Sequence, residues 1–239
     1  MGNTVNMEII ARIRTDFPTK FGIPRQSSLV EGLRGRIVFE PPFRNPDAVR
    51  GLEGFSHIWL IWQFSEAVRQ GWTATVRPPR LGGNTRMGVF ATRSPFRPNA
   101  MGLSSLRLDG IDWDAEDGPV LLVSGVDMMD GTPIFDIKPY LPFTDSHPDA
   151  QGGFADGVRG KALEVDFPEE LLSQIEEEAR ESLIDVLSQD PRPSYQKDDT
   201  RIYGMPFGNQ DIRFTVADGV LRVCAIDKIP EGKRSVTHG

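Results

Sequence analysis

His57-Ile58-Trp59-Leu60-Ile61-Trp62-Gln63-Phe64 is the stretch whose reading decides the fold. Ile58, Leu60, Trp62 and Phe64 fall on alternate positions, the period of a strand with one buried face, and Trp59 is left on the opposite face. The apolar run Ile58–Trp62 is far too short to span a bilayer. Working outward, Met7–Arg14, Gly35–Glu40, Arg86–Arg93, Leu103–Leu108 and Val120–Val126 read as further short extended segments. Turn residues recur between them: Glu31-Gly32, Pro41-Pro42, Pro78-Pro79, Gly82-Gly83 and Asp130-Gly131. Short strands with little helical pattern between them indicate a closed or sandwiched antiparallel sheet. Pro46–Gly51 has the composition of one helical turn ended by glycine.

The glycine-rich stretch His147–Gly157 reads as a linker, and the pattern changes beyond it. Lys161–Phe167 is a strand candidate. Leu172, Ile175, Ala179, Leu183 and Val186 then form one apolar stripe at helical spacing, with glutamates opposite, predicting a helix over Pro168–Leu187. Asp190-Pro191-Arg192-Pro193 stops it. Ile212/Phe214/Val216 and Leu221/Val223/Ala225 flank Asp218-Gly219, the signal of a two-residue hairpin turn. The expected organisation is mainly β, with a barrel-like domain over 7–147 and a small α+β domain over 159–230.

A lone cysteine, Cys224, excludes an internal disulfide framework, and three scattered histidines argue against a zinc site. The start of the chain lacks the basic and apolar regions of a secretory signal, so a cytoplasmic location is expected, with no membrane span and no metal. The net charge of −7 speaks against a nucleic-acid partner until its distribution is read. Between Ala67 and Leu108 there is no acidic residue, while Arg69, Arg77, Arg80, Arg86, Arg93, Arg97 and Arg107 all fall there. Two readings of these arginines stay open: solvated or salt-bridged surface, or a local phosphate-binding patch.

The sequence contains neither a glycine-rich dinucleotide fingerprint nor a phosphate loop. It contains three dense polar clusters: Lys20–Gln26, Ala91–Ser104 and Asp127–Tyr140. Prolines fix such loops, glycines admit a ligand close to the backbone, and arginines and aspartates supply charged hydrogen bonds. Each alone reads equally as a tight barrel corner; three together favour a site.

KFGIPRQ (20–26), GLEGFSHIWL (51–60), ATRSPFRPN (91–99), DGTPIFDIKPYLPF (130–143) and QDPRP (189–193) closely resemble the tRNA N6-threonylcarbamoyladenosine methyltransferase family, whose N-terminal part is a TsaA-like domain. The resemblance covers about residues 7–147, with QDPRP extending it. It implies an antiparallel β-barrel, S-adenosyl-L-methionine as cofactor, the tRNA anticodon loop as substrate, and a homodimer with the cofactor near the subunit interface. By this likeness Pro24, Arg25, Gln26, Phe64, Ser65, Arg93, Leu103, Asp130, Gly131, Thr132 and Pro133 are the cofactor-binding candidates, with Asp127 competing with Asp130. Arg97, Asn99, Asp136, Lys138 and Tyr140 are candidates for holding the anticodon-loop nucleotide, together with Arg77, Arg80 and Arg192 for tRNA.

The implied chemistry is in-line methyl transfer from a sulfonium to adenine N6, which must lose its proton. Asp136 or Asp130 is the expected general base, Lys138 stabilises developing negative charge or grips an anionic group, and Tyr140 completes the catalytic set. A structural Asp136–Lys138 ion pair is the competing reading. A barrel that binds RNA or nucleotide without transferring methyl is the alternative function.

Overall fold

The computed structural model describes residues 4–68, 71–78, 81, 85–158, 162–192 and 198–230. In chain order the first part contains β1 (Ala11–Arg14), β2 (Arg34–Phe39), β3 (His57–Gln63), β4 (Thr75–Val76), β5 (Met87–Gly88), β6 (Met101–Asp112), β7 (Val120–Ser124) and β8 (Pro133–Pro139). Alternation along β3 works as its sequence predicts: Ile58, Leu60 and Trp62 point inward and are buried, while Trp59 and Ile61 face outward. Six strands close into an antiparallel barrel with neighbour order β1-β2-β7-β6-β3-β8, and β8 returns to β1 through Ala11↔Ile134 and Arg12↔Pro133. Closure leaves this sheet no unpaired edge.

Two barrel segments differ from their sequence pattern. The segment Pro133–Pro139 belongs to a cluster with loop composition, yet it is the closing strand β8. Its two prolines sit at the strand ends, where a missing N–H is tolerated, and a bulge opposite Ile61/Trp62 accommodates Phe135. Conversely, Arg86–Arg93 is not one strand. Only Met87–Gly88 pairs, with the equally short β4, after which a 3-10 turn at Val89–Ala91 swings Val89 into a buried position. Pro46–Ala48 does form the expected helical turn, as a 3-10 turn whose start is capped by the Asn45 side chain.

The antiparallel order has a consequence for loop placement. The β1–β2 loop (15–33), the β3–β6 connection (64–100) and the β7–β8 loop (125–132) all emerge at one end of the barrel. That mouth therefore receives the first polar cluster, most of the second and the beginning of the third.

Beyond β8, a short helix α1 (Pro142–Asp145) and a 3-10 segment (Gly153–Val158) lead to a second sheet. It is built from β9 (Glu164–Asp166), β10 (Tyr203–Phe207), β11 (Gln210–Ala217) and β12 (Val220–Lys228), in the order β10-β11-β12-β9, with β9 parallel to β12. Asp218 and Gly219 turn the β11–β12 hairpin at φ 50° and 82°, the left-handed pair of a type I′ turn. The expected single helix over Pro168–Leu187 is instead two, α2 (Glu169–Leu172) and α3 (Glu177–Ser188). The chain breaks between them to bury Ile175. Arg180 reaches back, its Nε donating to the Ile175 carbonyl at 3.0 Å and its guanidinium to the Ser173 carbonyl at 3.4 Å, so the break leaves those acceptors satisfied. Barrel and second sheet share one continuous core, joined by Phe17 packed edge-on to Phe207 at 5.6 Å and by Gly208 N–H donating to the Asp16 carbonyl. No helix among the described residues is long and apolar enough to cross a membrane.

The mouth is sized by one glycine. A Cβ on Gly102 would stand 2.2–2.6 Å from ring atoms of Trp62, which is itself buried and hydrogen-bonded. Gly102→Ala should therefore displace the indole and destabilise the protein by about 1–3 kcal/mol, the usual range for overpacking. A denaturant midpoint equal to wild type, with unchanged near-ultraviolet dichroism, would contradict this.

Candidate functional site

At the mouth, β3 and β6 point polar and aromatic groups inward where a barrel core would be apolar. Gly102, Ser104, Leu106 and Leu108 are successive inward positions of β6, and Ser104 is the polar one. The Trp62 indole N–H donates to Ser104 Oγ at 3.0 Å, and the Ser104 hydroxyl donates to Asp127 Oδ1 at 2.8 Å. Because the indole can only donate, the serine proton is directed at the carboxylate. Burial pushes the Asp127 carboxyl up to about 6, although hydrogen bonds from Ser104 and the Asp127 and Ser27 backbones and the charge of Arg93 work in the other direction. Phe64 packs against Trp62 with ring centroids 4.3 Å apart, giving the rim an aromatic wall.

The first and second clusters meet here. The Arg93 guanidinium donates to the Gln26 side-chain carbonyl across 67 residues of sequence, and Lys20 pairs with Glu66 at 3.6 Å, tying the β1–β2 loop to the turn after β3. Pro24 is buried and fixes the loop, Arg25 is exposed beside it, and Ser65 opens the exposed 3-10 turn Ser65–Ala67. Gln26, Phe64, Arg93 and Asp127 thus form one group.

Other candidates stand apart from it. Asp130 pairs with Arg14 at 3.5 Å and accepts the Thr15 N–H at 3.1 Å, so of the two competing aspartates it is Asp127 that lies within reach of Arg93. The Gly131 carbonyl accepts from Arg12, while Thr132 and Pro133 are buried at the start of β8. Leu103 is 59% exposed and faces outward beside Ile61 on the barrel wall. There it joins Trp59, Ile61, Lys138, Thr144, Asp145 and His147 around a shallow groove of about 340 Å³. Asp136 and Lys138 lie on that outer face as an ion pair at 2.9 Å, and Tyr140 packs between His57 and Trp59 with centroids 6.1 and 5.6 Å away. The Trp59 indole donates to Asp145 at 2.8 Å; the Leu141 N–H bond and this one hold the Asp145 carboxyl below the usual range.

Arg97 donates to the Thr92 carbonyl within its own loop at 3.1 Å, and Asn99 is exposed. Arg77 is exposed on β4's extension, and Arg80 lies outside the described residues. Arg192 is in the second domain with its side chain only 11% exposed, clamped by Asp190 at 2.9 and 3.0 Å. Asp190 ends α3 in the left-handed region at φ 52°. The sequence alone reads Trp62 as packing and gives Ser104 no role; the available signal is a serine in the inward phase of a strand whose next inward residues are leucines.

The mouth offers complementary chemistry for S-adenosylmethionine: an aromatic face for an adenine, a guanidinium for a carboxylate, and a part-buried carboxylate able to meet a cation or a proton. Comparison with known proteins points the same way. The family model described as tRNA-methyltransferase O N-terminal domain matches residues 12–146, and that described as TrmO C-terminal domain matches residues 160–229. A tRNA (adenine(37)-N6)-methyltransferase from Escherichia coli K12 is 40% identical over 233 residues, covering 94% of this chain and 99% of that protein. A putative S-adenosylmethionine-dependent methyltransferase, RcsF, from Pseudomonas aeruginosa is 40% identical over 219 residues, covering 88% and 92%. The crystal structure of TrmO from P. aeruginosa superposes with a TM-score of 0.77 at 34% identity, covering 95% of this chain and 99% of that one. With matches spanning the barrel and the four-stranded sheet, the chain belongs to the TrmO family.

Proposed function

We propose that this protein is a cytoplasmic enzyme that transfers the methyl group of S-adenosylmethionine to N6 of adenosine 37 in tRNA, with threonylcarbamoyladenosine as the target nucleoside. The observation that carries the reading is the assembly of Gln26, Phe64, Arg93 and Asp127 at one barrel mouth in a chain of this family. The barrel domain (7–147) supplies this site, and Arg97 and Asn99, on the same loop as Arg93, remain the candidates for holding the substrate nucleotide. S-adenosylmethionine brings a methyl group on a sulfonium that departs as a neutral thioether, so the protein's task is orientation, exclusion of water and removal of a proton. Arg93, held by Gln26, grips the cofactor's carboxylate, and Phe64 on Trp62 takes its adenine. Asp127 accepts the N6 proton.

We favour Asp127 for this role over Asp136 and Asp130, which are expected from sequence but pair with Lys138 and Arg14. Lys138 then serves the outer groove, where its ammonium suits an anionic group of the RNA next to the target nucleotide, and Tyr140 packs on Trp59 of that groove. The apolar residues around that groove favour a homodimer. Leu103 and Phe143, 59% and 87% exposed, have nothing to cover them within the described part of one chain, and a second copy would enclose the groove. Light scattering should find a dimer at concentrations where the enzyme works; a monomer retaining full activity would contradict this part.

The direct test is mass spectrometry of nucleosides from tRNA incubated with the protein and labelled S-adenosylmethionine, which should show label on the adenine N6 of the modified nucleoside. Arg93→Ala should weaken cofactor binding about tenfold or more, the worth of a charged hydrogen bond. As proton acceptor, Asp127 must be ionised, so kcat/KM should fall as pH drops through about 6. Ser104→Ala removes a bond that favours the ionised form and should move this limb to higher pH, and Asp127→Asn should abolish it. The same group governs stability. Its carboxyl is raised in the folded protein, so stability is lost as pH rises from 3.8 towards about 6, and the full cost of ionisation stands above that. Asp127→Asn should accordingly raise Tm more at pH 8 than at pH 5. Transfer to another atom, or a pH profile indifferent to Asp127, would refute the assignment.

A further inference from the structure

We infer that Trp72 and Phe90 form a stacking platform for an unpaired nucleobase of the tRNA anticodon loop, a contact that rests on the tRNA reading above and adds to it a specific subsite. Both residues flank the β4–β5 ribbon, which stands off the barrel between β3 and β6. Their rings lie against each other with centroids 5.9 Å apart and planes at 34°, yet Trp72 is 52% and Phe90 71% exposed. Two large aromatic rings in mutual contact and open to solvent indicate a surface meant to be covered.

The charge of the arm says what covers it. The stretch Ala67–Leu108 contains seven arginines and no carboxylate. Within the arm, Arg77 is exposed, Arg86 donates to the Thr75 hydroxyl at 3.2 Å, and among the described residues neither forms an ion pair. Aromatic faces interleaved with uncompensated guanidiniums are the recognition chemistry of single-stranded RNA: bases stack on the rings and phosphates meet the cations. A second copy of this chain, at net charge −7, is a less specific match for the rings.

Position supports the same occupant. Val89, next to Phe90, is buried, and its N–H donates to the Ala74 carbonyl at 2.9 Å, which fixes Phe90 to the Trp72 side of the arm. Phe90 precedes Arg93 by three residues, so at most about 11 Å of backbone separates the platform from the mouth. A loop nucleotide neighbouring the one in the mouth is within reach, and stacking it would splay the loop and present the target base.

The test uses the full-length protein and an RNA hairpin with the length and loop of an anticodon stem–loop, together with a set in which each loop base in turn is replaced by an abasic site. Trp72→Ala and Phe90→Ala should each weaken binding about tenfold, the scale of one stacked base, with the salt dependence unchanged, whereas Arg77→Ala should flatten that dependence. Trp72→Phe, which keeps a ring, should restore binding to within about twofold of wild type. At one loop position the abasic hairpin should bind wild type about as weakly as the intact hairpin binds Trp72→Ala, and the two changes together should cost no more than either alone. Additive losses at every position would overturn the inference. So would wild-type affinity in both alanine variants, or a shift of Trp72→Ala from dimer to monomer in sedimentation that accounted for its weaker binding. A wild-type protein that bound S-adenosylmethionine but no hairpin would instead defeat the tRNA reading, and the platform with it.

Discussion

Closure of the barrel by β8 is the constraint on which the site depends. A six-stranded antiparallel sheet with an open side would expose backbone N–H and C=O groups, and pairing β8 with both β1 and β3 removes that edge. Once the ring is closed in this order, the ends of β1, β3 and β7 and the starts of β2, β6 and β8 share one rim. Polar segments far apart in sequence are then neighbours, as the Arg93–Gln26 bond shows. The chain needs no helix-flanked sheet or glycine-rich loop to gather these polar groups; the connections of a small barrel do it.

Within that rim, desolvation and hydrogen bonding act on Asp127 in opposite directions, and desolvation prevails. The carboxyl ends near 6, close enough to neutrality to take a proton and release it again. Asp130, three residues on, pairs instead with Arg14. Electrostatics is likewise local on the larger scale. An acidic chain keeps its ribbon arm free of carboxylates, so the arm carries positive charge although the net charge of the chain is −7.

Much of this is legible from residues alone where one rule dominates. Alternation in Ile58–Phe64 identifies β3, and Asp218-Gly219 marks the β11–β12 turn, because the side-chain period and the left-handed turn each leave a direct imprint. β8 is obscured: Pro133, Asp136, Lys138 and Pro139 have loop composition, and only pairing to both neighbours makes them a strand. The break before α3 is invisible because the apolar stripe runs through Ile175 unbroken, while the Arg180 bonds that stabilise the break are tertiary facts. For the site, the motifs around Gln26, Phe64 and Arg93 are readable through family likeness. The different surroundings of Asp127 and Asp130 are not, since they depend on which carboxylate faces Ser104 and which faces Arg14. Arg192, expected as a tRNA contact, is instead largely buried in its pair with Asp190.

In the proposed reading the cofactor sits at the mouth beside Trp62 rather than on the outer wall beside Trp59. The two indole N–H groups report on these places separately, one donating to Ser104 inside the mouth and the other to Asp145 in the groove. The decisive measurement is a 1H–15N titration of the tryptophan indoles with S-adenosylmethionine, assigned through Trp62→Phe and Trp59→Phe. The Trp62 resonance should shift with saturation while that of Trp59 stays nearly in place. A saturating shift at Trp59 with Trp62 unmoved would contradict it.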